Sequence, residues 1–177
     1  GKHSMPGLWR LIDGLSPGCR PRLIRGDVSY GNEDVMREAE NRELKYLFKL
    51  RRTSKIKKHI HDLEAGTHTW RDAGDGWQGV SLDVKLACWT SMRRCIFLRR
   101  EAGRRQGEEE PPRLPANEFS FIEEIEECPK YEYIVLVTNE ILPVLALSQL
   151  YRDRADCENV FDEIKNQCGW AVVVTKD

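Results

Sequence analysis

The chain has 177 residues, of which 40% are hydrophobic and 32% are charged, and its formal net charge is −1. This length and composition suit one folded domain that buries a real core, and the near-neutral charge does not by itself indicate a nucleic-acid partner. No apolar run reaches the length of a membrane span and the six cysteines lack CxxC or zinc-type spacing, so the sequence predicts a cytoplasmic protein with reduced thiols and no membrane partner.

The first part of the chain predicts a β-α-β unit. Its expected elements are a helix ending near residue 15, a strand over residues 22–27, a helix over residues 33–44 and a strand over residues 45–51. Asp27 is the last residue of the first strand, and Asn32 is suited to cap the helix that follows. This order of elements predicts that the two strands pair in parallel.

A basic run and a β-rich block come next. Residues 45–58 hold seven Lys or Arg and no acid, which is typical either of a solvated face or of a surface that contacts phosphate. The expected elements are a helix over residues 53–63 and strands within residues 77–89, 92–102, 119–125 and 131–139. Residues 103–118 are rich in Gly, Pro and charge, and they are predicted to form a mobile loop.

The last predicted element is a helix over residues 143–168, with Pro143 in its first turn. At about 100° per residue, one narrow face of this helix carries Tyr151, Arg154, Glu158 and Lys165. Beside that face runs an apolar stripe formed by Leu150, Cys157, Phe161, Ile164 and Cys168. The polar face has two interpretations, which are ordinary surface pairs at helical spacing and a functional cluster.

Asp27 and Glu158 together suit a magnesium site. A carboxylate at a strand end and another on a facing helix are oxygen ligands of the kind that Mg²⁺ uses together with substrate phosphate. With two such ions, a phosphodiester can be attacked in line by water or a 3′ hydroxyl, while Arg154 and Lys165 hold phosphate. The alternative for Asp27 alone is an acid that closes an Asx turn after the strand.

The residues Tyr151, Arg154, Glu158 and Lys165 match the Tyr-x2-Arg-x3-Glu-x6-Lys signature of bacterial insertion-sequence DDE transposases. LIRGDVSYGNEDVM resembles the second-aspartate region of that family, YLFKLR resembles the strand after it, and YRDRADCENVFDEIKNQCGW resembles the glutamate region. The similarity covers essentially the whole chain. It implies a transposase that cleaves transposon DNA ends and transfers them to target DNA with Mg²⁺ or Mn²⁺, with a homodimer as a possible assembly.

The same resemblance implies the roles of individual residues. Asp27 corresponds to the second catalytic, metal-binding acid and Glu158 corresponds to the third. Tyr151, Arg154 and Lys165 correspond to the residues that position transposon-end DNA.

The resemblance also implies an α/β fold, a partial RNase H-like core with a β-rich insertion between the second Asp and the Glu. The expected segments are residues 1–65 of the core, residues 66–140 with the insertion and its loop, and residues 141–177 with the glutamate helix. The family's first aspartate has no clear counterpart, because Asp13 is the only acid upstream of Asp27 and its pattern LWRLID is typical of a helix surface.

We therefore expect a truncated and inactive catalytic domain, with an open edge on both strands of the β-α-β unit. Two alternatives are kept. One is a non-catalytic remnant that binds DNA or another subunit, and the other is a Mg²⁺ nuclease on the same core that never joins ends.

Overall fold

The computed structural model of the protein describes residues 5–102 and 130–153. Its strands are β1 (Leu23–Gly26), β2 (Lys45–Lys49), β3 (Arg71–Asp72), β4 (Trp77–Val84), β5 (Arg93–Glu101) and β6 (Tyr131–Thr138). They form one six-stranded sheet in the order β1-β2-β6-β5-β4-β3. β1 and β2 pair in parallel, as predicted, and the remaining neighbours in this sheet pair antiparallel.

Four helices accompany the sheet in this part of the chain. They are α1 (Met5–Gly14), α2 (Glu33–Asn41), α3 (Ser54–Ala65) and α4, which is helical over residues 144–153. The mixture of helices with this sheet confirms the predicted α/β class. None of the helices in the described ranges is both long enough and apolar enough to cross a membrane.

The helices lie on both faces of the sheet. Buried residues of α1, α2 and α3 pack with Cys95 and Phe97 of β5, whereas Leu147 of α4 packs with Ile96 and Leu98 of the same strand. Because side chains alternate between the faces of a strand, the two clusters lie on opposite sides of the sheet. α4 therefore occupies the face opposite to the other three helices.

The start of α2 follows the sequence prediction, but its end does not. The Asn32 side chain accepts a hydrogen bond from the backbone N–H of Val35 at 3.1 Å, which is the predicted cap. The helix then ends at Asn41 instead of continuing to residue 44. Glu43 adopts a left-handed conformation with φ of 57°, and the N–H of Leu44 returns to the Ala39 carbonyl at 3.0 Å. This tight turn directs the chain into β2.

The expectation of two open strand edges was wrong for β2. β6 pairs with β2 on the side away from β1, with Phe48 opposite Val137. β1 stands at the end of the strand order within the described residues. The strands assigned to the β-rich insertion thus continue the sheet that β1 and β2 begin. This pairing satisfies the backbone N–H and C=O groups that an open edge on β2 would leave unpaired. The predicted division into three segments stays a prediction.

Candidate functional site

Asp27 follows β1 directly and begins a tight turn. Its Oδ1 accepts a hydrogen bond from the backbone N–H of Ser29 at 2.9 Å, and its backbone carbonyl accepts one from Tyr30 at 3.1 Å. This is the Asx turn that the sequence offered as an alternative role. The side chain is half-buried, and no donor from the described residues reaches Oδ2. One carboxylate oxygen therefore shapes the turn while the other can accept a ligand.

Two glycines fix the position of this turn against β2. A Cβ on Gly26 would lie 2.5 Å from the Tyr30 ring, and a Cβ on Gly31 would overlap the Lys49 carbonyl oxygen. The absence of side chains lets Tyr30 fold back onto the sheet, where its ring centroid lies 5.8 Å from that of Phe48. These close approaches hold the turn that begins at Asp27 against β2.

Arg25 connects the strand that precedes Asp27 to helix α4. Its Nη1 donates a hydrogen bond to the backbone carbonyl of Leu150 at 2.5 Å, across 125 positions of sequence. Leu23, two residues earlier on β1, packs against the same apolar cluster as Leu150 and Tyr151. The intervening Ile24 packs into the cluster on the opposite face. β1 therefore turns alternate side chains toward α4.

Two further arginines attach α4 and the segment before it to the sheet. Nη1 of Arg94 on β5 donates to the carbonyls of Glu140 and Leu142, each at 2.9 Å. Nη1 of Arg152 on α4 donates to the Ala73 carbonyl beside β3 at 3.0 Å. The helix and the segment before it are thus attached to β1, to β5 and to the residue after β3, in addition to the apolar contacts of α4.

Of the polar helix face predicted for α4, the structure describes Tyr151 alone. Tyr151 is half-buried and packs against the apolar cluster beneath α4. Arg154, Glu158 and Lys165 lie outside the described residues, as do the predicted loop at residues 103–118 and the strand at residues 119–125. Their assigned roles remain predictions.

Part of the basic run lies at the same edge of the sheet as Asp27. Asp27 follows β1 and Arg51 comes soon after β2, and the carboxyl ends of neighbouring parallel strands share one edge. Arg51, Arg52 and Lys55 are exposed there. Lys45 begins β2 and belongs to the opposite edge. The basic run is therefore divided between two edges of the sheet, and most of its basic residues come after β2, on the side of Asp27.

Asp13 has a structural role that agrees with its helix-surface pattern. Its two carboxylate oxygens each accept a hydrogen bond from Arg42 at 2.9 Å, which joins α1 to the end of α2. The guanidinium of Arg42 also lies 4.9 Å from the ring centroid of Trp9. The hydrogen bond from Arg42 holds the pKa of Asp13 below its usual value. Nothing in these contacts offers Asp13 as a metal ligand.

The predicted metal site has Asp27 and Glu158 as its ligands. No three His, Cys, Asp or Glu side chains cluster as a metal site in residues 5–102 and 130–153. The carboxylate of Asp27 has the hard oxygen donors that Mg²⁺ and Mn²⁺ prefer, and one of those oxygens is turned to no protein donor in this range. Asp27 thus fits a ligand of such an ion.

Sequence reasoning missed the three arginines that hold α4. Arg25, Arg94 and Arg152 each donate to backbone carbonyls, and every residue type carries a carbonyl. The acceptors therefore leave no pattern in the sequence. The sequence signal that could have indicated the Arg25 contact was the alternation of side chains along a strand, which places Arg25 on the same face of β1 as Leu23.

A family model described as the transposase DDE domain matches residues 1–173, a range that contains both Asp27 and Glu158. No curated protein and no solved structure matches the chain. The mixed six-stranded sheet with its helices is consistent with a partial RNase H-like core of the DDE type. Members of this family bind DNA and generally use divalent metal ions for phosphodiester chemistry. The chain belongs to the transposase DDE domain family, the DDE transposases of insertion sequences.

Proposed function

We propose that this protein cleaves and transfers transposon DNA ends with Asp27 and Glu158 as two of its metal-binding acids. The observation that carries the proposal is the contact between Arg25 on β1 and Leu150 on α4. Asp27 comes two residues after Arg25, and α4 is the helix in whose predicted continuation Glu158 lies. The contact thus joins the strand that precedes Asp27 to the helix whose predicted continuation contains Glu158.

The predicted extension of α4 sets the distance between Leu150 and Glu158 along the helix axis. The sequence predicts a helix to about residue 168, and a helix rises about 1.5 Å per residue. On that prediction Glu158 stands about 12 Å, or two turns, beyond Leu150. Leu150 contacts β1, and the proposal requires that the next two turns of the predicted helix run toward the region after that strand.

In this proposal the acids bind the metal ions and the basic and aromatic side chains bind the DNA. Asp27 and Glu158 would hold Mg²⁺ or Mn²⁺, which when bound activates the attacking oxygen and steadies the leaving one. Arg154 and Lys165 share the predicted helix face of Glu158 and would bind the phosphates of the transposon end. Tyr151 begins that face and would pack against the same DNA.

Exposed basic side chains near Asp27 form a surface that can contact DNA phosphates. Arg51 and Lys55 lie at the edge of the sheet where Asp27 is found, and DNA phosphates attract clustered basic side chains without regard to sequence. This supports the phosphate-contacting interpretation of the basic run over a merely solvated face.

The test is end cleavage by the complete protein expressed from its whole reading frame. Asp27→Asn and Glu158→Gln each remove one negative charge while keeping side-chain size, so folding and DNA binding should survive. We expect cleavage of a labelled transposon end to require Mg²⁺ or Mn²⁺ and to disappear in both variants.

A matched control is Asp13→Asn, which removes an acid that pairs with Arg42 and belongs to α1, on the sheet face opposite to α4. It should cleave like the wild type. Persistent cleavage in Glu158→Gln would refute the proposed site. Retained DNA binding with no cleavage by the unaltered protein would instead favour the non-catalytic remnant.

A further inference from the structure

We propose that Lys49, at the carboxyl end of β2, binds the DNA phosphate that is cleaved beside Asp27. The inference rests on the proposed function and deepens it, because it adds a catalytic residue that lies outside the transposase signature. In this role the ammonium group of Lys49 neither gives nor takes a proton. It holds the negative charge of the phosphate oxygens.

Strand register places Lys49 next to Asp27. β1 and β2 pair in parallel, and the last pair of their register is Gly26 with Phe48. The next position along each segment is therefore Asp27 beside Lys49, and neighbouring strands lie about 4.8 Å apart. A phosphate at the Asp27 carboxylate would thus lie within reach of the Lys49 side chain.

The alternation of side chains puts the two groups on one face of the sheet. Leu47 packs in the apolar cluster beneath α4, whereas Phe48 packs in the cluster on the opposite face. Lys49 therefore returns to the face of Leu47. Leu47 is the register partner of Arg25, which bonds to α4 on that same face. Asp27, two residues after Arg25, leaves the strand on this face as well.

The backbone of Lys49 is held from both sides. On one side Lys49 pairs with Leu136 of β6, and the N–H of Leu50 donates to the Val135 carbonyl at 2.8 Å. On the other side Gly31 comes so close that a Cβ there would overlap the Lys49 carbonyl oxygen. A side chain mounted on such a fixed strand can hold a substrate group in a defined place.

Lys49 is a half-buried cation without a protein partner among residues 5–102 and 130–153. Covered charges in proteins are normally paired, because the loss of water costs free energy. Asp27 beside it forms no ion pair with it and keeps one carboxylate oxygen without a donor from the same ranges. A phosphate oxygen would supply the acceptor that Lys49 lacks.

A cation at this position has a clear chemical use. Negative charge develops on the phosphate oxygens in the transition state of phosphodiester cleavage. A lysine that is already fixed beside those oxygens stabilises the transition state without moving, and removal of one such group typically slows a reaction by about 100-fold or more.

Lys45 provides a matched control on the same strand. It begins β2 and lies on the same face as Lys49 by alternation, but it is exposed at the opposite edge of the sheet. Its Nζ donates to the Asn139 carbonyl at 3.4 Å. Lys45→Met therefore removes the same charge from β2 without touching the edge that carries Asp27.

The first test is single-turnover cleavage of a labelled transposon-end duplex by the complete protein. Lys49→Met keeps the side-chain length and removes the charge, and we expect the cleavage rate to fall about 100-fold. Lys49→Arg keeps a cation and should recover part of that rate, and Lys45→Met should cleave like the wild type. A wild-type rate in Lys49→Met, or an equal loss in Lys45→Met, would overturn the role of Lys49.

The second test asks whether Lys49 recognises the scissile phosphate itself. Binding is measured without divalent metal, so that the DNA stays intact, on the ordinary duplex and on one with a neutral methylphosphonate at the scissile position. Lys49→Met should weaken binding of the ordinary duplex by about tenfold, because a charged hydrogen bond is lost. It should leave binding of the methylphosphonate duplex unchanged. Equal weakening for both duplexes would contradict the contact.

The failure of this inference differs from the failure of the proposed function. Cleavage by Asp27→Asn would contradict the proposed function, whereas a wild-type rate in Lys49→Met and none in Asp27→Asn would contradict only the role of Lys49. Circular dichroism should show that Lys49→Met melts no lower than the wild type. If it does melt lower, Lys49→Arg decides, because recovered cleavage supports the phosphate contact and absent cleavage overturns it.

Discussion

Arg93 is the most deeply buried charge described in the protein, and its surroundings explain how that charge is tolerated. Its side chain is 3% exposed, and its guanidinium binds Glu33 at 2.5 Å and Glu40 at 2.7 Å. Tyr46 donates to Glu40 at 2.7 Å, and Arg93 also lies over the Trp89 ring. A buried charge that has lost water needs such partners. The network therefore ties α2 to β2 and β5.

These contacts shift the titration of both acids in the same direction. Burial by itself would raise the pKa of Glu33, but hydrogen bonds from Thr90 and Arg93 outweigh it and leave that pKa below its ordinary value. The hydrogen bond from Arg93 likewise lowers the pKa of Glu40 against the opposing effect of burial. Both carboxylates thus favour the charged form when the protein is folded.

The first prediction concerns the acid stability of this network. A folded pKa below the unfolded value, which is about 4.3 for Glu, means that the stabilisation is complete above that pH and is lost as the pH falls through the folded pKa. Glu40→Gln should lower the free energy of unfolding at pH 7 by about 1–2 kcal/mol and flatten its decline below pH 5. Urea unfolding at several pH values measures both effects.

The control for this prediction is Glu101→Gln on β5. The Glu101 side chain is 74% exposed and lies 4.0 Å from Lys130, so its loss should change stability by less than about 0.5 kcal/mol. An equally steep acid decline in Glu40→Gln and wild type would show that other carboxylates govern the acid transition.

Helix α4 approaches the sheet so closely that one strand position admits only glycine. A Cβ on Gly79 of β4 would lie 2.5 Å from Cγ1 of Val144 and 2.8 Å from Cδ2 of Leu98. Leu98 is almost fully buried in the cluster beneath α4, so it has little room to move. The first turn of α4 therefore rests directly on the backbone of β4.

This close approach predicts that Gly79→Ala destabilises the protein. The added methyl group must displace Val144 or Leu98, and overpacking of this kind costs about 1–3 kcal/mol. Gly7→Ala on α1 is the matched control, because a Cβ there meets nothing within 4 Å and alanine favours a helix. Chemical denaturation should show a loss for Gly79→Ala and no loss for Gly7→Ala. Equal stability of Gly79→Ala and wild type would contradict the seating of α4 on β4.

The elements differ in how far the sequence could predict them. The Asn32 cap, the parallel pair and the buried face of α3 follow from local patterns, because caps and periodicity depend on nearby residues. The end of α2 was missed by three residues, since a left-handed Glu43 has no strong sequence signal. The pairing of β6 with β2 was missed because it joins residues about 90 positions apart.

The candidate site, like the fold, could be predicted from the sequence only in part. The resemblance to the family predicts Asp27 from the segment LIRGDVSYGNEDVM and Glu158 from the spaced signature, and both assignments stay predictions. The attachment of α4 through Arg25 could not be predicted, since its acceptor is a backbone carbonyl distant in sequence. Residue types thus predict the chemistry, whereas the contacts that attach α4 to β1 and β5 depend on the packing of the whole sheet.

At the scale of the whole molecule, the described strands form one continuous sheet that links the first β-α-β unit to the β-rich block. β5 pairs with both β4 and β6 along most of its length, and β6 joins that block to β2. Helices cover both faces of this sheet. Asp27 therefore follows a strand of a sheet that extends far beyond its own neighbourhood, the kind of regular element that the proposed catalytic role would need.

The central claim is that Asp27 and Glu158 bind the same metal ion, and a double-mutant cycle on Mn²⁺ affinity tests it most directly. The complete protein and its Asp27→Asn, Glu158→Gln and doubly substituted variants are titrated with Mn²⁺ and followed by electron paramagnetic resonance. If both acids hold one ion, each single change weakens binding and the double change weakens it by clearly less than the sum of the two in free energy. Mn²⁺ binding that survives Asp27→Asn, or strictly additive losses, would contradict the shared site.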